Sequence, residues 1–168
     1  MFGSHIQFGI LSYGCASKNK LDKIITLQKK AVRLVANKGY NSHSEPIFYN
    51  LEILKFEDLF NYSVMKFMHQ YSTSNLPPSF NSTFTLTRDT DNRNIRDDFY
   101  HYQVSNPSNH LLKKFPRVIF IPIWNSLSSE YQCIQSHKVF SEDCKKFILD
   151  TYLNFTGCDK LTCSECNS

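Results

Sequence analysis

The chain has 168 residues and a formal net charge of +4, and 41% of its residues are hydrophobic. This composition is typical of one folded domain with a sizeable core, while five glycines and a mean hydropathy of -0.38 argue against collagen-like, low-complexity and membrane-embedded chains. No segment reaches the roughly 18 apolar residues of a membrane-spanning helix, and the short apolar segment around Gly9 lacks the basic region of a signal peptide. We therefore expect an intracellular protein, in the nucleus or the cytoplasm, that does not bind membranes.

Residues 18–38 carry a local net charge of +6, more than the +4 of the whole chain, because seven lysines and arginines stand there against the single acid Asp22. Core-type residues recur in this segment with the period of an amphipathic helix: Leu21, Ile24, Ile25, Gln28, Ala31, Val32 and Val35. The same period places four basic side chains on the opposite face: Lys23, Lys29, Lys30 and Arg33. This face is either a solvated lysine surface or a surface that follows nucleic-acid phosphates, and the residues alone leave both interpretations open.

Two further helices are predicted after the basic one. We expect Gly39 to end the basic helix and Ser44 to cap a short helix with Glu45 and Pro46 in its first turn. Large apolar residues then follow the helical period again, and four of the seven are aromatic: Phe56, Leu59, Phe60, Val64, Phe67, Met68 and Tyr71. Burying each such side chain stabilises a fold by about 1.5–3 kcal/mol. This long helix is therefore expected to anchor the core and to pack antiparallel to the basic helix.

Beyond the long helix the pattern changes to loop and strand, with one short strand expected near Phe84. Alternation around Tyr102 and the apolar run 115–123 predict two short strands that pair across the turn at Asn106-Pro107. Two prolines confine the second of these strands to a sheet edge. The predicted fold class is mostly α (α+β), with antiparallel helices and a small antiparallel β element between the second long helix and the C-terminal helix.

The C-terminal part begins with a short helical segment at Trp124-Asn125-Ser126-Leu127. Ser136 is expected to cap a last helix with one shared face: Val139, Phe140, Cys144, Phe147, Ile148 and Thr151. The sequence thus predicts a single mostly helical domain over residues 1–155 and a cysteine-containing tail over residues 156–168.

No catalytic residue is predicted. Asp97 and Asp98 superficially resemble the paired aspartates with which polymerases hold magnesium ions, but such a pair needs a hydrophobic hairpin and the polar residues 91–94 precede this one. The six histidines show no motif spacing, so they indicate no nucleophilic constellation.

The cysteines fall into two sets. Three lie in or beside apolar segments and are predicted to be buried thiols: Cys15, Cys133 and Cys144. The other three have a spacing that lets thiolates converge on one zinc ion: Cys158, Cys163 and Cys166. Because a structural zinc site needs four ligands, Cys144, His137 or a partner would have to supply the missing one. The alternative is a frayed tail with free thiols.

Sequence segments in a defined order cover nearly the whole chain: SHIQFGIL at 4–11 with Gly14, LQKKAVR at 27–33, EPIF at 45–48, LEILKFEDL at 51–59, Leu76-Pro77, Trp124-Asn125 with Leu127, and Phe140 with Lys145 and Lys146. In order and spacing they resemble the region downstream of the polymerase domain in reverse transcriptases of non-LTR retrotransposons, of the Jockey-like kind. Two positions differ from that family's frequent pattern, since Tyr13 stands in place of tryptophan and Ser128 in place of proline.

The resemblance implies a fragment without polymerase activity, because in that family the endonuclease and the palm with its catalytic aspartates lie upstream. The chain would be the non-catalytic C-terminal part of an RNA-directed DNA polymerase, with the upstream polymerase domain as one partner. Its basic helix would help to hold template RNA or target DNA without sequence specificity. The alternatives are a helical protein-interaction domain, a decayed element fragment without function, and an independent enzyme, whose pocket would have to gather Asp97 or Asp98 with histidines.

Overall fold

Helices make up most of the computed structural model, which describes residues 6–87, 101–104 and 115–153. Their bounds are α1 Ile10–Tyr13, α2 Lys18–Val35, α3 Ser44–Asn50, α4 Phe56–Ser72, α5 Pro116–Asn125, α6 Ser129–Gln132 and α7 His137–Leu153, with a 3-10 turn at Pro78–Phe80. Across these residues no helix combines the length and the apolar character needed to cross a membrane. The predicted mostly helical class is confirmed.

Helix α4 forms the centre of the core. It packs against α1, α5 and α7 and also contacts α2, while α3 packs against α2 and α7. Five of the seven residues predicted for its apolar face are buried: Phe56, Leu59, Phe60, Val64 and Met68. The other two, Phe67 and Tyr71, are half-buried and contact the ring of Phe84 edge-on. The prediction that this face anchors the core is confirmed.

Two helix boundaries differ from the predicted ones. The chain turns after α2 at Asn37, whose φ of 54° is left-handed, and the N–H of Lys38 donates to the carbonyl of Arg33 at 2.9 Å. This bond closes a helix end in the Schellman manner, and asparagine tolerates the left-handed conformation well. The predicted ending at Gly39 is therefore wrong by two residues. Helix α3 begins at Ser44 itself, so His43 and not Ser44 occupies the cap position.

The small antiparallel β element is the clearest wrong prediction within the described ranges. Residues 116–123, taken from the sequence as an edge strand, lie in helix α5. Pro116 stands in the first turn of the helix, where its missing N–H has no partner to lose, whereas Pro122 lies inside the helix. A short apolar run also suits a buried helix as well as a buried strand. Leu86 and Tyr102 do form one isolated antiparallel bridge, but no strand extends from it in the described residues.

Helix α7 follows Ser136 as predicted, but its buried face is rotated from the predicted one. The buried side chains are Phe140, Cys144, Ile148, Leu149 and Tyr152, whereas Val139, Phe147 and Thr151 are exposed. The reason is that α7 packs against both α3 and α4, so its buried residues lie on the side that faces both helices and recur mainly at every fourth position. Of the three cysteines predicted as buried thiols, Cys144 is buried, Cys15 is half-buried and Cys133 is exposed on the turn after α6.

Candidate nucleic-acid interface

Helix α2 carries the basic side chains, and a buried glutamine fixes it to the core. The Nε2 of Gln28 donates to the carbonyl of Leu54 at 2.8 Å, and its Oε1 accepts the N–H of Phe56 at 2.8 Å. Phe56 is the first residue of α4, where a backbone N–H has no partner inside the helix. Gln28 therefore completes the start of α4 and holds the inward face of α2 against it.

The four predicted phosphate-binding side chains divide into two pairs. Lys23 and Lys30 are exposed, whereas Lys29 and Arg33 are half-buried. The Nε of Arg33 donates to the carbonyl of Ser42 at 2.8 Å, so this guanidinium helps to hold the segment that leads into α3. The sequence placed all four on one free face, and the structure brings only the first pair together on the outward side.

Lys29 lies close enough to α3 to act on Glu45, which forms an ion pair with Lys55 at 3.4 Å. Burial works to raise the pKa of Glu45, but a backbone hydrogen bond, the Lys55 ammonium and then the Lys29 ammonium together hold it below its ordinary value. The charge of Lys29 thus already interacts with a carboxylate of the same molecule, so Lys29 should attract an external phosphate less strongly.

The outward face of α2 carries three lysines and two leucines at positions spaced by three and four residues: Lys20, Lys23, Leu27, Lys30 and Leu34. We call this set the Lys-Leu stripe. Leu27 is 57% exposed and Leu34 is 77% exposed. At a rise of about 1.5 Å per residue, the stripe runs roughly 21 Å along the helix axis. Such a row can reach several successive phosphates of one strand.

Sequence reasoning missed Lys20 and both leucines as members of this face. The predicted inward face was too wide, because it included Val35, whose side chain is 71% exposed. A helical wheel centred on Gln28 and Val32, the two buried residues of α2, places the stripe on the opposite side. The signal was therefore present in the sequence, but the buried centre of the helix had to be known to read it.

The candidate zinc ligands are only partly within the described residues. The tail cysteines Cys158, Cys163 and Cys166 lie outside them. Cys144 is packed in the core, and burial, with a smaller effect of Asp143, raises the pKa of its thiol to about 12. Because a zinc ion and the tail cysteines would have to reach this thiol inside the core, burial disfavours Cys144 as the missing ligand.

His137 is engaged with a second histidine. The Nδ1 atoms of His137 and His69 are 3.2 Å apart, and the Nε2 of His69 donates to the carbonyl of Ile134 at 2.7 Å. Since a carbonyl oxygen only accepts, neutral His69 presents a lone pair on Nδ1 and His137 supplies the proton between them. A zinc ion at His137 would have to replace this bond. No group of three or more potential metal-binding side chains occurs in the part of the chain that the structure describes.

Asp97 and Asp98, which the sequence suggested as a superficial likeness to a polymerase motif, also lie outside the described residues. Comparison of the chain with protein-family models, with curated proteins and with solved structures found no match.

Proposed function

We propose that this chain is a non-catalytic nucleic-acid-binding module, and that α2 holds the phosphates of RNA or DNA through the Lys-Leu stripe. The observation that carries the proposal is the row formed by Lys20, Lys23 and Lys30, which are exposed on one side of a helix whose other side is fixed by Gln28. Lys29 and Arg33 flank this row and add to its field. A rigid helix with a basic outer side matches the regular spacing of a phosphate backbone.

The resemblance to the post-polymerase region of non-LTR retrotransposon reverse transcriptases supports a more specific form of the proposal. In that form the chain belongs to an RNA-directed DNA polymerase, its partner is the upstream polymerase domain, and its ligand is template RNA or target DNA. The support is the order of sequence segments that runs from residue 4 to Lys146. The module itself would perform no chemistry.

The proposal predicts binding that depends on salt and not on sequence. Fluorescence anisotropy with labelled RNA and DNA duplexes of several sequences measures it directly. For about three to four phosphate contacts, log K should fall against log salt with a slope of roughly -3 to -4, and affinities for different sequences should agree closely. Lys30→Ala should make the slope shallower by about one unit. A slope near zero, or strong preference for one sequence, would contradict the proposal.

A helical protein-interaction domain is the second candidate, and the exposure of Leu27 and Leu34 favours it. A partner helix could bury both leucines along the stripe, because residues spaced by three and four form the seam of helical pairs. The face of α4 cannot serve this purpose, since Phe56, Phe60 and Met68 are already buried in the core. Leu27→Ala/Leu34→Ala would abolish such an interaction while leaving the salt dependence of nucleic-acid binding in place.

A further inference from the structure

A groove lies on the inward side of α2, between this helix, residues 52–54 and α4. It encloses about 490 Å³, and its apolar wall comes from both helices and the segment between α3 and α4: Ala31, Val32, Val35, Ile53, Leu54 and Leu59. This volume falls within the range of small-molecule pockets, about 300–1,000 Å³, and such pockets are mostly apolar with a few placed polar groups.

The groove leaves apolar surface in water at one end. Val35 is 71% exposed and Ile53 is 37% exposed, and both line the groove. The helical period places Val35 on the packed side of α2, opposite the Lys-Leu stripe. Its exposure therefore marks a place where the described chain does not fill the space beside the helix. An apolar ligand would remove this surface from water and gain in proportion to the area covered.

The polar groups of the groove carry a net positive charge. Two lysines, Lys66 and Lys145, and one acid, Glu52, line it. Neither lysine forms an ion pair in residues 6–87, 101–104 and 115–153, and the ammonium of Lys66 lies 5.3 Å from the ring centre of Tyr62. Two of the other hydrogen-bonding groups are already engaged, since Gln28 bonds the backbone of α4 and the hydroxyl of Tyr62 donates to the carbonyl of Ser141, while Gln7 lies exposed at the rim.

We propose that this groove binds a small anionic amphiphile, a carboxylate with an aliphatic chain. The chain lies against Val32, Val35 and Leu54, and the carboxylate is held by Lys66 and Lys145. Glu52 repels the head group, so the two lysines and this acid together leave one net positive charge, which matches a ligand with one negative charge. The groove faces away from the Lys-Leu stripe, so this site is independent of nucleic-acid binding and both ligands can be bound at once.

Three probes with one chain length test the charge preference on the full chain: decanoate, decanol and decyltrimethylammonium, each titrated by calorimetry below its micelle concentration. Decanoate is expected to bind most tightly. Lys66→Gln and Lys145→Gln should each weaken decanoate binding by about 10- to 100-fold, because each removes one charged hydrogen bond. Glu52→Gln should tighten it. Lys138→Gln removes the same charge from the exposed side of α7 and should leave the affinity unchanged.

Val35→Trp tests the location. The position is at the rim and largely exposed, so a larger side chain there can cover the groove without repacking the core, and circular dichroism checks that the helices are kept. Binding of decanoate should be lost in this variant. The proposal is overturned if decanol or the cation binds as tightly as decanoate, if Lys66→Gln and Glu52→Gln shift the affinity in the same direction, or if folded Val35→Trp binds normally. Failure of all three probes to bind would also overturn it.

Discussion

Replacing Gln28 by leucine tests how α2 is joined to the core. Gln28 is 3% exposed, and its amide bonds the carbonyl of Leu54 and the N–H of Phe56. A buried polar group left without a partner lowers the free energy of unfolding by about 1–3 kcal/mol, so two unpaired backbone groups would lower it by about 2–6 kcal/mol. Leucine has a similar volume and no amide of its own to bury, which offsets part of this loss. We therefore expect the free energy of unfolding to fall by about 2–4 kcal/mol.

Urea denaturation at neutral pH measures this change. Circular dichroism follows the helices, and the fluorescence of Trp124, which is the one tryptophan of the chain and is fully buried, follows the core. Coincidence of the two transitions shows two-state unfolding, which the comparison requires. Thr26→Leu is the matched control, because residue 26 is exposed on the same helix and should change stability by no more than about 0.5 kcal/mol. A loss below about 1 kcal/mol for Gln28→Leu would refute the reasoning.

Three further outcomes are expected. Phe60→Ala should destabilise the protein by about 3–5 kcal/mol in the same assay, because Phe60 is buried and packs edge-on against the ring of Phe120; a loss below about 1 kcal/mol would contradict its place in the core. Burial, then His69 and Lys66, lowers the pKa of His137, so the unfolded chain binds the proton more readily, and stability should fall as pH drops through about 6.5. His137→Gln should flatten this fall, and an unchanged pH profile would exclude His137 as its source. Metal analysis should find less zinc in the double variant Cys163→Ser/Cys166→Ser than in the parent if the tail binds zinc, and equal zinc would remove that hypothesis.

The long helices were predictable because their apolar residues follow one period over many turns. The face of α4 is the best example, since five of its seven predicted residues are buried. The period fixes which residues share a side of a helix, and a helix with one large aromatic face has few other faces that it could bury in the core. It also predicted that Gln28 faces inward, although the two backbone groups that it bonds could not be named from the sequence.

The helix α5 shows where this reasoning fails. Residues 118–124 form a continuous apolar run, which a buried strand and a buried helix can share, and the prolines argued for an edge strand. The structure resolves the ambiguity through tertiary packing. Phe120, Ile121 and Trp124 are all buried around α4, which a single edge strand with alternating faces could not achieve.

The candidate site was predictable in outline and not in detail. Charge and period together indicated the basic face of α2. They also assigned Arg33 to open solvent, whereas in the structure its Nε donates to the carbonyl of Ser42. Likewise, burial of Val35 was expected from its position alone. Whether a side chain at the edge of a helical face is covered depends on the neighbouring segment, and local sequence does not contain that information.

The most direct test of the account is the salt dependence of nucleic-acid binding in two variants that carry the same net charge. Lys23→Gln/Lys30→Gln removes two charges from the Lys-Leu stripe, and Lys138→Gln/Lys146→Gln removes two exposed charges from α7. With anisotropy of one labelled duplex, the first variant should make the slope of log K against log salt shallower by roughly 2, while the second should leave it unchanged. Equal slopes in the two variants would contradict a phosphate-binding site on α2.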